Sequence, residues 1–177
     1  NGNIFIAKIN TLGEFIWVKH IGGEGSSSSA SIALDPEGNI LITGWFYHEV
    51  DFDPGPEVFN IDSPNSVNIF ILKLDNSGDF VWVKSMGHPD LENRDRGRSI
   101  TTDLYGNVYT TGHFQGSADF NPDSGFSYLS SNSGSRDIFV QKLDPDGNFM
   151  WVKSFGGSLG DDSSAIKVDT NGSVYIA

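Results

Sequence analysis

Apolar and polar positions alternate along this chain in short runs, and the runs recur. IFIAKIN at 4–10 returns as IFILKLD at 69–75 and IFVQKLD at 138–144. Each is followed by a tight turn and then by EFIWVK, DFVWVK or NFMWVK, which sets Trp17, Trp82 and Trp151 in register. A second unit, SIALDPEGNILITGWF at 31–46, returns as SITTDLYGNVYTTGHF at 99–114 and starts again as AIKVDTNGSVYIA at 165–177. The runs are rich in Ile, Val, Phe, Tyr, Thr and Trp and end on Gly, Asp, Asn or Pro, the signature of strands. No stretch keeps the 3.6-residue period of a helix.

The strands of each unit are joined by Asp/Asn-x-x-Gly in six copies, starting at Asn10, Asp35, Asp75, Asp103, Asp144 and Asp169. Glycine supplies the left-handed position of a tight hairpin, and the leading side chain accepts a backbone N–H. A calcium loop of the EF-hand kind needs twelve residues between helices, so these are hairpin turns. Four strands per period, a to d, make one propeller blade. The expectation is an all-β chain of β-propeller-type repeats, four-stranded antiparallel blades amounting to about three blades' worth. Its strands run c-d, a-b-c-d, a-b-c-d, a-b. The single segment 1–177 divides into a half blade at 1–26, blades at 27–94 and 95–162, and a half blade at 163–177. This reads as a fragment of a larger propeller, completed by neighbouring repeats. Strand a should lie nearest the axis, because its residues are small: Ser29, Ala30 and Ser31, Ser99 and Thr101, Ser163, Ser164 and Ala165. Lys19, Lys84 and Lys153 of strand d should guard an exposed edge against pairing.

Between strands b and c the chain makes an excursion, VDFDPGPEVF at 50–59 and ADFNPDSGF at 118–126. Asp-Pro-Gly is a turn signal, and Val50–Phe52 with Val58–Ile61 can form a small extra hairpin. Asp51, Asp53, Asp119 and Asp123 are also oxygen donors of the type calcium takes. Asp53 becomes Asn121 in the second copy and Asp123 has no counterpart in the first, a drift that a turn tolerates more easily than a cation site.

The formal charge of −12 argues against nucleic acid and anionic lipid. No apolar run of 18 residues is present, so membrane insertion is not expected. Zero cysteines exclude disulfides and thiolate chemistry. In a meander the b-c and d-a connections emerge on one face. The stretches 22–28, 47–67, 87–96, 115–136 and 157–162 hold 13 acids against Arg94, Arg96 and Arg136, that is −10 of the −12. Loops on a rigid scaffold commonly carry binding. This acidic long-loop face is therefore the expected ligand site, with Glu49, Asp51, Asp53, Glu57, Asp62, Asp119, Asn121 and Asp123 as its candidate residues. No G-x-S-x-G elbow is present. His20, His48, His88 and His113 are isolated in sequence and read as surface or blade-edge residues. The reading is a non-catalytic scaffold for a protein or glycan ligand, without cofactor unless calcium binds. The alternatives are a polysaccharide-acting enzyme, with acids such as Asp161 and Asp162 as acid and base, and a calcium-dependent binding module. Open blade edges also allow self-association.

The run Gly-Asn-Ile/Val through Thr-Gly, then Asp-Phe, then I-F-I/V-x-K-L-D-x-x-G-D/N-F-x-W-V-K resembles the bacterial SBBP repeat, the "seven-bladed β-propeller" family, from Ile4 to Ala177. The resemblance is strongest to large secreted or surface proteins of Bacteroidetes-type bacteria. It implies a propeller, an extracellular or cell-surface setting and no established enzymatic activity. Asp-x-x-Gly-x-x-x-Trp, as in Asp75 to Trp82, is also similar to the tryptophan-docking motif of quinoprotein propellers, which implies shared blade packing only.

Overall fold

A computed structural model describes residues 2–88 and 94–177. Among these residues the chain is all-β apart from one 3-10 turn. Strands β1 (Ile4–Ile9) and β2 (Phe15–Ile21) form a two-stranded sheet. β3 (Ser26–Leu34), β4 (Ile40–Tyr47), β7 (Asn68–Leu74) and β8 (Phe80–Met86) form a four-stranded antiparallel meander. β9 (Arg96–Thr102), β10 (Val108–Gln115), β13 (Arg136–Leu143) and β14 (Phe149–Phe155) repeat it. β15 (Ile166–Val168) and β16 (Val174–Ile176) pair at the end. The expected order c-d, a-b-c-d, a-b-c-d, a-b is therefore present. β1–β2 and β15–β16 remain separate sheets, so the two half blades do not complete one another within the chain.

The six turns close as anticipated. Asp35 Oδ1 accepts the N–H groups of Glu37 and Asn39, and Asp103, Asp144 and Asp169 repeat the geometry. Each turn glycine has φ between 80° and 85°. The first strands lie against one another, β3 on β9 and β9 on β15, which makes strand a the inner one. Ser31 Oγ accepts the Ile100 N–H and Ser99 Oγ accepts that of Ile166, so small hydroxyl residues stitch one blade to the next. Thr43 and Thr111 donate to the carbonyls of Phe70 and Phe139 in the sheet interior. The following Gly44 and Gly112 oppose a bulge, and a Cβ at either would run into the carbonyl oxygen of Ser28 or Arg96.

Strand d of the first two units, β2 and β8, faces the next blade instead of an open edge, which corrects the expectation for Lys19 and Lys84, while Lys153 on β14 stays exposed. The Trp17 ring lies against Gly78, and the Trp82 ring against Gly147. Trp82 Nε1 also donates to the Pro145 carbonyl, as does Lys73 Nζ. Lys19 pairs with Asp79 at 3.0 Å. In the next blade Asn148 stands where Asp79 stood, and Lys84 pairs instead with Asp123 at 3.0 Å. The acid has moved between two loops while the inter-blade ion pair is kept.

Candidate functional site

The excursions form the small hairpins expected of them. β5 (Val50–Asp51) pairs with β6 (Asn60–Ile61), and β11 (Ser117–Asp119) with β12 (Tyr128–Ser130). They are drawn back along the blades instead of standing out from the long-connection face. Phe52 and Phe120 are fully buried, each edge-on to Phe46 or Phe114 at 5.4 and 5.3 Å and within 5.1 and 4.8 Å of Phe70 and Phe139. Burying those rings draws the hairpins back along the blades. Phe59 then stacks near Phe80, and Asp123 Oδ2 accepts the Phe149 N–H, both directly after c-d turns at the other end. The backbones of Asp51 and Asp119 also bridge to Gly22 and Gly87 of the preceding unit.

The candidate carboxylates are largely occupied by this work. Asp51 Oδ1 accepts the N–H groups of Asp53 and Phe59, and Asp119 Oδ1 those of Asn121 and Ser127. Asp53 and Asn121 cap Gly55 and Asp123. The Phe149 N–H, together with Lys84, holds the Asp123 carboxyl below the usual range. Glu49, Glu57 and Asp62 are exposed and scattered. Asp90 and Glu92, counted in the acidic face, lie outside the described residues. Among the described residues no three acidic or histidine side chains converge as a metal would require. A calcium site with Kd of about 10 µM would add about 2.7 kcal/mol at millimolar calcium. The occupied carboxylates lead us to expect a melting temperature unchanged within about 1 °C on adding 1 mM calcium, read by differential scanning fluorimetry. A rise of about 4 °C or more would establish a cation site.

A different cluster occupies the long-connection end of the second blade. Arg94, Arg96, Arg98, His113, Gln115 and Arg136 line a cavity of about 270 Å³. Register explains the convergence. His113 of β10 stands opposite Arg96 of β9, and Gln115 opposite Arg136 of β13. Arg98 is the extra residue of a bulge between Gly97 and Ser99, a device that re-aims a side chain. Arg96 lies over Trp45 of the first blade, 4.9 Å from the ring centre. Asp162, on the next d-a connection, places its carboxylate 2.6 Å from His113 Nδ1 and 3.4 Å from Arg136 Nη2. Burial, set against Asp162 but reinforced by the arginines, brings the His113 pKa down to about 4. Burial and the other three arginines depress the Arg96 guanidinium as well. A second opening of about 520 Å³ continues from Arg98 and Asp162 past Trp45 to Ser28 and Ser163.

His113 is thus neither isolated nor at the surface: it is 2% exposed and sits among four arginines. The net charge concealed this positive cluster because acids outnumber it elsewhere. Arg-Asp-Arg-Gly-Arg at 94–98 is the signal that could have found it, since alternate residues of a strand share a face. Asp161 and Asp162 turn to different partners. Asp161 accepts the Gly157 N–H while Asp162 turns to His113 and Arg136.

Inner strands held by serine bridges, tryptophans seated on the glycine turns of the next blade, and four-stranded meanders define a β-propeller repeat protein. Residues 16–45 and 81–113 match the profile of SBBP, the beta-propeller repeat. It is 27% identical over 164 residues to the uncharacterized WD repeat-containing protein L264 of Acanthamoeba polyphaga mimivirus. That match covers 86% of this chain but only 12% of the viral protein. A solved protein of unknown function from Bacteroides caccae aligns over 100% of this chain and 63% of its own, at 16% identity and a TM-score of 0.36. At that score the likeness carries no weight in assigning the fold.

Proposed function

We propose that this chain is a non-catalytic binding module of a propeller presented outside the bacterial cell, taking a protein or glycan ligand at its long-connection end. The observation that supports this is where the repeat is broken. Packing residues return from blade to blade: Trp17 and Trp82, Phe52 and Phe120, Thr43-Gly44 and Thr111-Gly112. The cavity residues do not. Arg94, Arg96, Arg98, His113 and Gln115 stand where the first blade has Ser26, Ser28, Ala30, Trp45 and Tyr47. A position freed from the repeat yet gathered around an opening fits recognition better than scaffolding, since binding residues concentrate on loops and element ends.

Neighbouring propeller repeats are the natural partners of the open strands. Phe5 is 75% exposed, whereas Phe70 and Phe139 at the equivalent place are fully buried. A second copy could cover the same edge. The test of the binding reading is a glycan array and a panel of purified extracellular proteins, scored for the chain and for Trp45→Ala. Saturable binding weakened at least about tenfold by Trp45→Ala, and untouched by Asp79→Asn at the opposite end, supports it. Turnover of a polysaccharide, or binding indifferent to Trp45, overturns it.

A further inference from the structure

We propose that the arginine cavity of the second blade binds one compact tetrahedral oxyanion group, a phosphate or sulfate ester. The proposal rests on the reading of this end as the ligand surface and gives that ligand its chemistry.

Four guanidiniums, Arg94, Arg96, Arg98 and Arg136, line one opening of about 270 Å³. One carboxylate, Asp162, reaches them, and among the described residues Arg94, Arg96 and Arg98 pair with no acid. Among the described residues this leaves a local excess of about three positive charges at the cavity, in a chain of net charge −12. One donor at the cavity, Arg96 Nε, is buried without a hydrogen bond. Buried donors of this kind normally have partners, so a missing acceptor accounts for it.

The arginine fork matches the oxygens of a tetrahedral oxyanion or carboxylate in bidentate fashion. Asp162, with Oδ2 3.4 Å from Arg136 Nη2, shows the cluster already drawing one carboxylate oxygen from within the chain. Charge then discriminates between anions. A carboxylate offers two oxygens and one charge, whereas a tetrahedral ester offers three free oxygens, with one charge in a sulfate and up to two in a phosphate, and so answers more of the guanidinium donors. Size and surroundings discriminate as well. The cavity holds one such group, and the negative charge of the rest of the chain repels an extended polyanion. The ligand is therefore a small molecule or a sparsely substituted chain ending in the ester.

Isothermal titration of the whole chain with inorganic phosphate, inorganic sulfate and acetate, at constant ionic strength in chloride, tests this. Saturable binding of phosphate or sulfate with submillimolar Kd is expected, with acetate at least about tenfold weaker. The tighter of the two tetrahedral ions indicates the ester. Arg98→Gln with Arg136→Gln, both side chains near the surface, should weaken binding at least about tenfold. Lys153→Gln, an exposed cation outside the cavity, should leave it unchanged. Circular dichroism checks that the double variant folds, and Arg94→Gln alone provides a second reading if it does not. Heats that fail to saturate, equal responses to acetate, or equal losses in Lys153→Gln overturn the proposal. If a ligand from the panel binds through Trp45 while neither ion binds or competes, the anion assignment falls and the binding-module reading stands.

Discussion

Phe120→Ala is expected to be among the most destabilising single substitutions in the chain, at about 3–5 kcal/mol, the range for removing a buried phenylalanine. The ring is fully buried, edge-on to Phe114 at 5.3 Å and 4.8 Å from Phe139. Its own carbonyl accepts Gln141 Nε2 at 2.6 Å, so the backbone around the ring is fixed and cannot collapse into the gap. Urea unfolding followed by tryptophan fluorescence would show a midpoint lowered by about 1–5 M, given slopes of about 1–3 kcal/mol per M. Phe126→Ala, six residues along the same excursion, is the control. That ring is 77% exposed and stacks on Tyr128. Its loss should cost under about 1 kcal/mol. Equal costs for the two would mean that the excursion is a surface flap instead of a wedge against the blade.

This contrast marks where the sequence was legible and where it was not. Strand runs, hairpin turns and the order c-d, a-b-c-d, a-b-c-d, a-b follow from local rules, and such rules act between residues near in sequence. The turn of Asp51-Phe52-Asp53-Pro54-Gly55 was readable for the same reason. That Phe52 and Phe120 are wedges was not, because a single ring in a polar segment has no period to reveal its partner. Phe46 and Phe70 meet Phe52 only once strands b and c are paired. Counting charge over whole connections failed for a related reason. It assigned Asp123 to one face, while the buried ring beside it carries that acid to Lys84 and Phe149. The arginine cavity needs three registers at once, β9 on β10, β10 on β13, and the d-a connection bringing Asp162. Only the alternation of Arg94, Arg96 and Arg98 along the chain leading into β9 was visible beforehand.

Asp95, between the first two of those arginines, sets the second large effect. Its side chain is fully buried, Oδ1 accepts the Gln115 N–H at 3.0 Å, and Oδ2 has no hydrogen-bond partner. Burial drives its pKa up to about 7, against the opposing backbone N–H groups of Gln115 and His88. Because the folded pKa lies above the unfolded one, the folded state holds the proton more tightly. The carboxyl's contribution to stability is complete below about pH 4 and is lost as pH rises through 7. A shift of about three units corresponds to roughly 4 kcal/mol at most. Asp95→Asn keeps the oxygen that accepts from Gln115 and removes the charge. It should therefore be more stable than the parent by about 2–4 kcal/mol at pH 8, with the advantage shrinking to near zero at pH 4. His113 runs the other way: its depressed pKa makes it lose stability as pH falls from about 6.5 towards 4. That loss is common to both proteins and cancels in the difference between them. Chemical denaturation of the pair at pH 4, 6 and 8 measures the difference directly. A gap that does not change with pH would show that Asp95 is ionised in the fold at little cost, with the adjacent arginines supplying the compensation.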